Sequence, residues 1–181
     1  MYLLLATMIL SFMTTGCGES DSDDNKKTEV ATEEVTAESQ MANPWRDITE
    51  EEARSSINKI FVVPDGATDI QWRIMKSDDK PMIELLFTFD GYSFRARAQE
   101  TLNGEEDISG LSYSFLYDDV TINKWGDVKG KQDTLYGEDD SVDINSVLWY
   151  DEAAKINYSL SVQELGAAKV DMISIVESMS P

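Results

Sequence analysis

The side chains able to do chemistry in this chain of 181 residues are carboxylates above all: 35 acidic residues stand against 15 basic ones, with one cysteine, Cys17, and no histidine. Without histidine there is no Ser-His-Asp triad, no Cys-His pair and no imidazole ligand for zinc or haem. No glycine-rich phosphate loop follows a strand-like run, which removes the usual nucleotide site. Paired carboxylates remain, as in glycosidases, where one acid protonates the leaving group and the other attacks or activates water. Glu84 and Asp143 are of the right type, as any acidic protein provides. Oxygen ligation of calcium also remains: Glu138-Asp139-Asp140 with Asp143 and Asn145 clusters donors, with Asp139, Asp140 and Asp143 as candidate ligands. The spacing is not that of an EF-hand loop, and a solvated acidic loop explains the same residues. Ser56-Ile57-Asn58-Lys59 fits an S-x-x-K pattern but lacks the S-D-N and K-T-G companions that give that pattern its chemistry. Among the aromatics, Trp125 precedes Gly126 in a charged stretch and is the tryptophan expected at the surface, where it could stack on a sugar or anchor a protein.

The lone thiol has its own context. The apolar run from Tyr2 to Met13 is shorter than the roughly 20 residues a membrane-spanning helix needs and matches the hydrophobic region of an export signal. It leads into Thr14-Thr15-Gly16-Cys17, which resembles the lipobox of bacterial lipoproteins. Thr14 stands where that family prefers Leu or Val, and no Lys or Arg precedes the apolar run. The resemblance implies cleavage after residue 16, a diacylglyceryl group on Cys17, and a cell-membrane location on the extracytoplasmic face. Acyl chains contribute about 0.8 kcal/mol per buried methylene, so two or three would hold the protein stably. Lipidation would also consume the thiol and leave a domain without disulfides.

Residues 17–41 read as the lipidated cysteine and a tether. Residues 18–41 carry eight acids, two bases and no aromatic side chain, a composition that cannot form a core. Residues 42–181 then read as one domain, carrying 27 acids against 13 bases, a net charge of −14. Such a surface repels nucleic acid, whose binding relies on cations at the phosphates.

Within that domain, Thr49 with Glu52 three residues on forms a capping box, predicting a helix over 50–58. Lys59–Val63 reads as a strand, and Ile70, Trp72 and Ile74 alternate with polar neighbours as another. Met82–Phe89 and Tyr92–Gln99 flank Asp90-Gly91, the signature of a two-residue type I′ hairpin. That turn sets Phe87 opposite Phe94, Leu85 opposite Ala96 and Glu84 opposite Arg97, so turn and apolar pattern agree on one register. Leu111 to Tyr117 alternates as a strand, followed by a short one over 120–125. Gly126–Asp140 reads mostly as loop, with an edge strand near Thr134–Tyr136. Val142–Tyr150 and Lys155–Leu160 form a second hairpin. Ser161-Val162-Gln163-Glu164 repeats the capping-box pattern and predicts a closing helix with Leu165, Ala168, Met172, Ile173, Val176 and Met179 on its apolar stripe. The run from Trp149 through Ile156-Asn157-Tyr158-Ser159-Leu160 to Glu177-Ser178-Met179 is similar to the end of Gram-positive lipoprotein domains of unknown function. It covers roughly the last fifth of the chain and implies no catalytic residue.

These elements predict an α+β fold: a twisted antiparallel sheet built from hairpins, with an N-terminal and a C-terminal helix packed on one face. The expected function is a non-enzymatic cell-envelope lipoprotein whose domain binds a protein or glycan partner, with no cofactor, nucleotide or nucleic acid. The alternative is an extracytoplasmic hydrolase using paired carboxylates.

Overall fold

The computed structural model describes residues 43–76, 80–113, 116–138 and 141–181. The expected export signal, Cys17, the acidic segment, Asp139, Asp140 and Phe115 lie outside the described residues. Among the described residues, eight strands form one antiparallel sheet: β1 (Trp45–Ile48), β2 (Thr68–Met75), β3 (Met82–Phe89), β4 (Tyr92–Glu100), β5 (Asp118–Ile122), β6 (Val128–Leu135), β7 (Asp143–Asp151) and β8 (Ile156–Glu164). Their spatial order is β1-β2-β3-β4-β8-β7-β6-β5. Two four-stranded meanders therefore meet at the β4–β8 seam, and the β4–β5 connection has to cross the sheet from its middle to its edge.

The β3–β4 hairpin has the register its turn dictates. Phe87 faces Phe94, Leu85 faces Ala96 and Glu84 faces Arg97. Asp90 and Gly91 both take positive φ, 49° and 80°, as a type I′ turn requires. Ile83, Leu85, Phe87, Phe94, Ala96 and Ala98 thereby share one face and enter the core. Trp149 and Tyr158 add a stacked pair, with ring centroids 5.1 Å apart. In β2, Trp72 and Ile74 point inward as the alternation predicts. A bulge between Thr68 and Gln71, with Asp69 at φ 52°, breaks the alternation and turns Ile70 outward, an effect a bulge has on the strand that carries it.

The α+β expectation holds for the antiparallel sheet and the C-terminal helix, but the molecule is mostly β. Helix α1 (Glu50–Ser56) starts where the capping box places it: Thr49 accepts a hydrogen bond from the Glu52 amide at 3.1 Å. The Glu52 carboxylate instead pairs with Arg46 at 2.5 Å, and the helix ends two residues early, with Ala53 as its buried residue. Lys59–Val63 forms no strand. Ile60 and Phe61 plug the core, while the Val62 amide donates to Met179 O at 2.9 Å.

Three further expectations are corrected. The closing helix does not begin at Ser161, because β8 runs on through Glu164 and is paired on both sides, Phe94 with Val162 and Asp143 with Glu164. Helix α2 is Met172–Ser178, capped by Asp171, whose carboxylate accepts from the Ser174 amide at 3.1 Å. Met172, Ile175, Val176 and Met179 bury its apolar side. The stretch 126–140 is not mostly loop: β6 pairs with β5 and β7 over its length. Leu111–Tyr113 is irregular rather than strand and belongs to the crossing connection. That connection is tied to the sheet face opposite the core. Arg97 donates to Ile108 O at 3.2 Å and Ser109 O at 2.9 Å, and Asn157 exchanges hydrogen bonds with Gly104 O and the Glu106 amide. Gly110, at φ 70°, fits beneath Arg97 because a Cβ there would stand 2.1 Å from Nη1. No helix among the described residues is long and apolar enough to cross a membrane.

Candidate functional site

Trp125 is not at the surface. It ends a short 3-10 turn, Asn123–Trp125, and is 4 % exposed. Its ring meets Trp149 and Tyr158 edge-on, with centroids 5.2 and 4.9 Å away, and its Nε1–H donates to Val176 O at 2.8 Å. Burying an indole costs least when its N–H finds a partner, and α2 supplies one. What remains of Trp125 forms the back of a hollow whose lining includes Lys59, Glu105, Asp127, Tyr150, Asp151 and Glu152.

Carboxylates do converge there, but Asp151 and Glu105 have partners. Asp151 is buried at the β7–β8 turn, its Oδ2 2.6 Å from Lys59 Nζ and its Oδ1 accepting from the Ala154 amide at 2.9 Å. Burial pushes this carboxyl up, yet the Lys59 ammonium and the turn amides outweigh it, so Asp151 titrates below its ordinary value. Glu105 pairs with Lys131 at 2.7 Å. A glycosidase acid needs the opposite environment, one that keeps it protonated.

Asp143 is a clasp between loops. Its Oδ1 accepts from the Gly137 amide at 2.9 Å, and its Oδ2 accepts from the Gly166 and Ala168 amides at 3.1 and 3.4 Å. These amides, Gly137 foremost, hold the carboxyl below its ordinary value. Asn145 is likewise engaged, accepting from Gln132 and donating to Ala167 O and Val170 O. Among the described residues no group of three or more acidic side chains is placed to hold a metal ion.

Glu84, 2 % exposed, sits on the face away from the core among three arginines: Arg97 at 2.9 Å, Arg73 at 3.3 Å and Arg95 at 3.4 Å. The guanidiniums of Arg73 and Arg97 lie 5.4 and 5.1 Å from the Trp45 ring centre. This knot is structural: its carboxylate is saturated and covered.

The strand registers define two ends of the sheet, and they differ. At one end lie the start of β1, the end of β2 and start of β3, the β5–β6 and β7–β8 turns, and Lys59, Lys76, Lys80, Lys124, Lys129 and Lys155. The other end, the tip, comprises the β3–β4 and β6–β7 turns, the start of β5 and the end of β8. There the large side chains of Leu116, Tyr136, Val142 and Leu165 are exposed, with Ile70 close by. Leu102 is the exposed large apolar residue at the lysine end, and Tyr113 lies on the crossing connection. Beside this rim, between the β3–β4 hairpin and the start of α2, opens a cleft of about 420 Å³. Phe89, Tyr92, Phe94, Val170 and Ile175 line it, with Asp90, Asp171, Ser174 and Lys169 around them. Tyr92 Oη donates to Gly166 O at 3.4 Å and ties the hairpin to the turn before α2. Sequence reasoning missed the tip because its residues come from five separated stretches, and the bulge that exposes Ile70 leaves no mark in the apolar pattern. Comparison with protein-family models, with curated proteins and with solved structures finds no match to this chain.

Proposed function

We propose that this protein is a non-catalytic binding module of the cell envelope, carried on a lipid anchor at Cys17, and that its tip is the surface that engages a protein partner. The observation that carries the reading is the contrast between the two ends of the sheet. The chain from Cys17 joins the domain at Asn43, beside the start of β1 at the lysine end, while exposed apolar side chains gather at the opposite end. A tethered module needs this polarity: its attachment at one end and its contact surface at the other. Exposed apolar groups rimmed by polar ones mark interaction sites more often than chance. A hydrolase reading gains no support from the carboxyls with displaced titration, Glu52, Asp143, Asp151 and Asp171, all of which are displaced downward.

The test has two arms on intact cells. Labelled palmitate should enter the wild type and not Cys17→Ser; equal labelling of both rejects the anchor. Crosslinks from the domain to envelope proteins should fall at least about fivefold when two exposed tip residues, Tyr136, of a type enriched at interface hot spots, and its apolar companion Leu165, are changed to Ser. Crosslinks unchanged by that pair, in a variant of unaltered melting temperature, reject the tip.

A further inference from the structure

We infer that the tip cleft takes a basic amphipathic segment of the partner protein, one apolar side chain seated among the aromatics and flanking Lys or Arg side chains meeting the acids around the mouth. The inference rests on the binding-module reading and names the partner's chemistry. Shape supplies the first argument. The cleft floor is apolar, with Phe94 and Ile175 buried and Phe89 and Tyr92 half-buried at the rim. Its volume of about 420 Å³ lies toward the small end of ligand pockets, which run about 300–1,000 Å³. That suits the anchor residue of a peptide better than a large rigid ligand.

Charge supplies the second argument. Asp90 and Asp171 stand in the lining, and Asp143 and Glu164 cap the neighbouring strand ends. Lys169 is the cation of that lining, whereas six of the domain's lysines sit at the other end. With −14 over residues 42–181, the field at the tip attracts cations, steers their approach and rejects anionic partners such as nucleic acid or acidic lipid.

The experiment titrates the full-length protein in detergent with three labelled 14-residue peptides: Lys and Leu at helical spacing, the same with Glu for Lys, and the same with Ser for Leu. The Lys–Leu peptide should bind at least about tenfold more tightly than the other two, since removing either the charge match or the anchor costs affinity. Phe89→Ser should weaken it about tenfold by removing one wall of the cleft. Lys169→Glu, an exposed change that leaves the core intact, should tighten it several-fold. The pair Glu105→Gln and Glu152→Gln, at the lysine end, should leave it unchanged. Equal binding of the Glu–Leu peptide, equal loss in the lysine-end pair, or indifference to Lys169→Glu overturns the inference. So does preferential binding of a chitin hexamer, which would make the cleft a glycan site. If Tyr136→Ser with Leu165→Ser abolishes the cellular crosslinks while no peptide binds, the partner chemistry is wrong and the module stands. If neither responds, both fall.

Discussion

At the scale of single residues, Glu84 shows what a pairwise reading reaches and what it leaves out. The hairpin turn places Glu84 opposite Arg97, and alternation puts both on the face away from the core; that much is legible in the sequence. The same register puts Arg95 at the diagonal position, but the approach of Arg73 is not legible, because it depends on how β2 registers against β3. Once buried, the carboxylate holds three guanidiniums in place, and losing one partner of such a set leaves uncompensated charge. Glu84→Gln should therefore lower unfolding free energy by about 3 kcal/mol, read by urea denaturation. A change below about 0.5 kcal/mol, the usual range for surface substitutions, would mean the knot is solvated rather than structural. Trp125 teaches the reverse lesson. Its charged neighbours suggest exposure, but Lys124, Asp127 and Lys129 crown a turn whose tryptophan plunges inward to a carbonyl of α2.

At the scale of elements, Ser161-Val162-Gln163-Glu164 satisfies a helix-start pattern and is nevertheless strand. Local capping contributes about 1 kcal/mol. Here it competes with ladders to both β4 and β7, and tertiary pairing wins. The real cap is Asp171, ten residues on. Asp171→Ala should cost about 1 kcal/mol and loosen α2, whereas Ser161→Ala, if it removed no cap, should cost less than half as much. Chemical denaturation of the two variants separates these outcomes, and equal losses would contradict the assignment. Strand β6 escaped the sequence for a different reason. Its alternate positions are Val128, Gly130, Gln132 and Thr134, too polar to mark a buried face. Gly130 is required by crowding, since a Cβ would stand 2.9 Å from Leu148 O. The crossing connection imitates a strand because Leu111 and Tyr113 alternate with polar residues while serving as a strap over the sheet.

At the scale of the whole molecule, the absence of histidine shapes the response to pH. No side chain has an ordinary pKa between about 5 and 8. Asp143, Asp151 and Asp171 titrate below their ordinary values when folded. Their contribution is therefore complete above the unfolded value of about 3.9 and drains away as the pH falls through it toward the folded values. Burial raises the Tyr158 phenol and takes that of Tyr117 to about 12. The unfolded chain thus loses those protons first, and stability falls as the pH rises past about 10. The melting temperature should not fall between about pH 8 and pH 5, and should drop on both sides beyond about pH 4 and pH 10. A steep change near pH 6.5 would contradict this account.

The position of β1 has a mechanical consequence. It is a four-residue edge strand whose first residue, Trp45, stands at the lysine end and pairs with Met75. With the anchor and tip partner proposed above, a pull on the chain at Trp45 against a partner gripping the tip would run along the strand axis, nearly perpendicular to the β1–β2 hydrogen bonds. Those bonds would share the load in shear rather than open one after another like a zip. The two guanidiniums over Trp45 act as a rivet where the load enters. Arg73, which joins that rivet to Glu84, would pass the tension on to β3, so the shortest of the described strands is placed to be the load-bearing hitch.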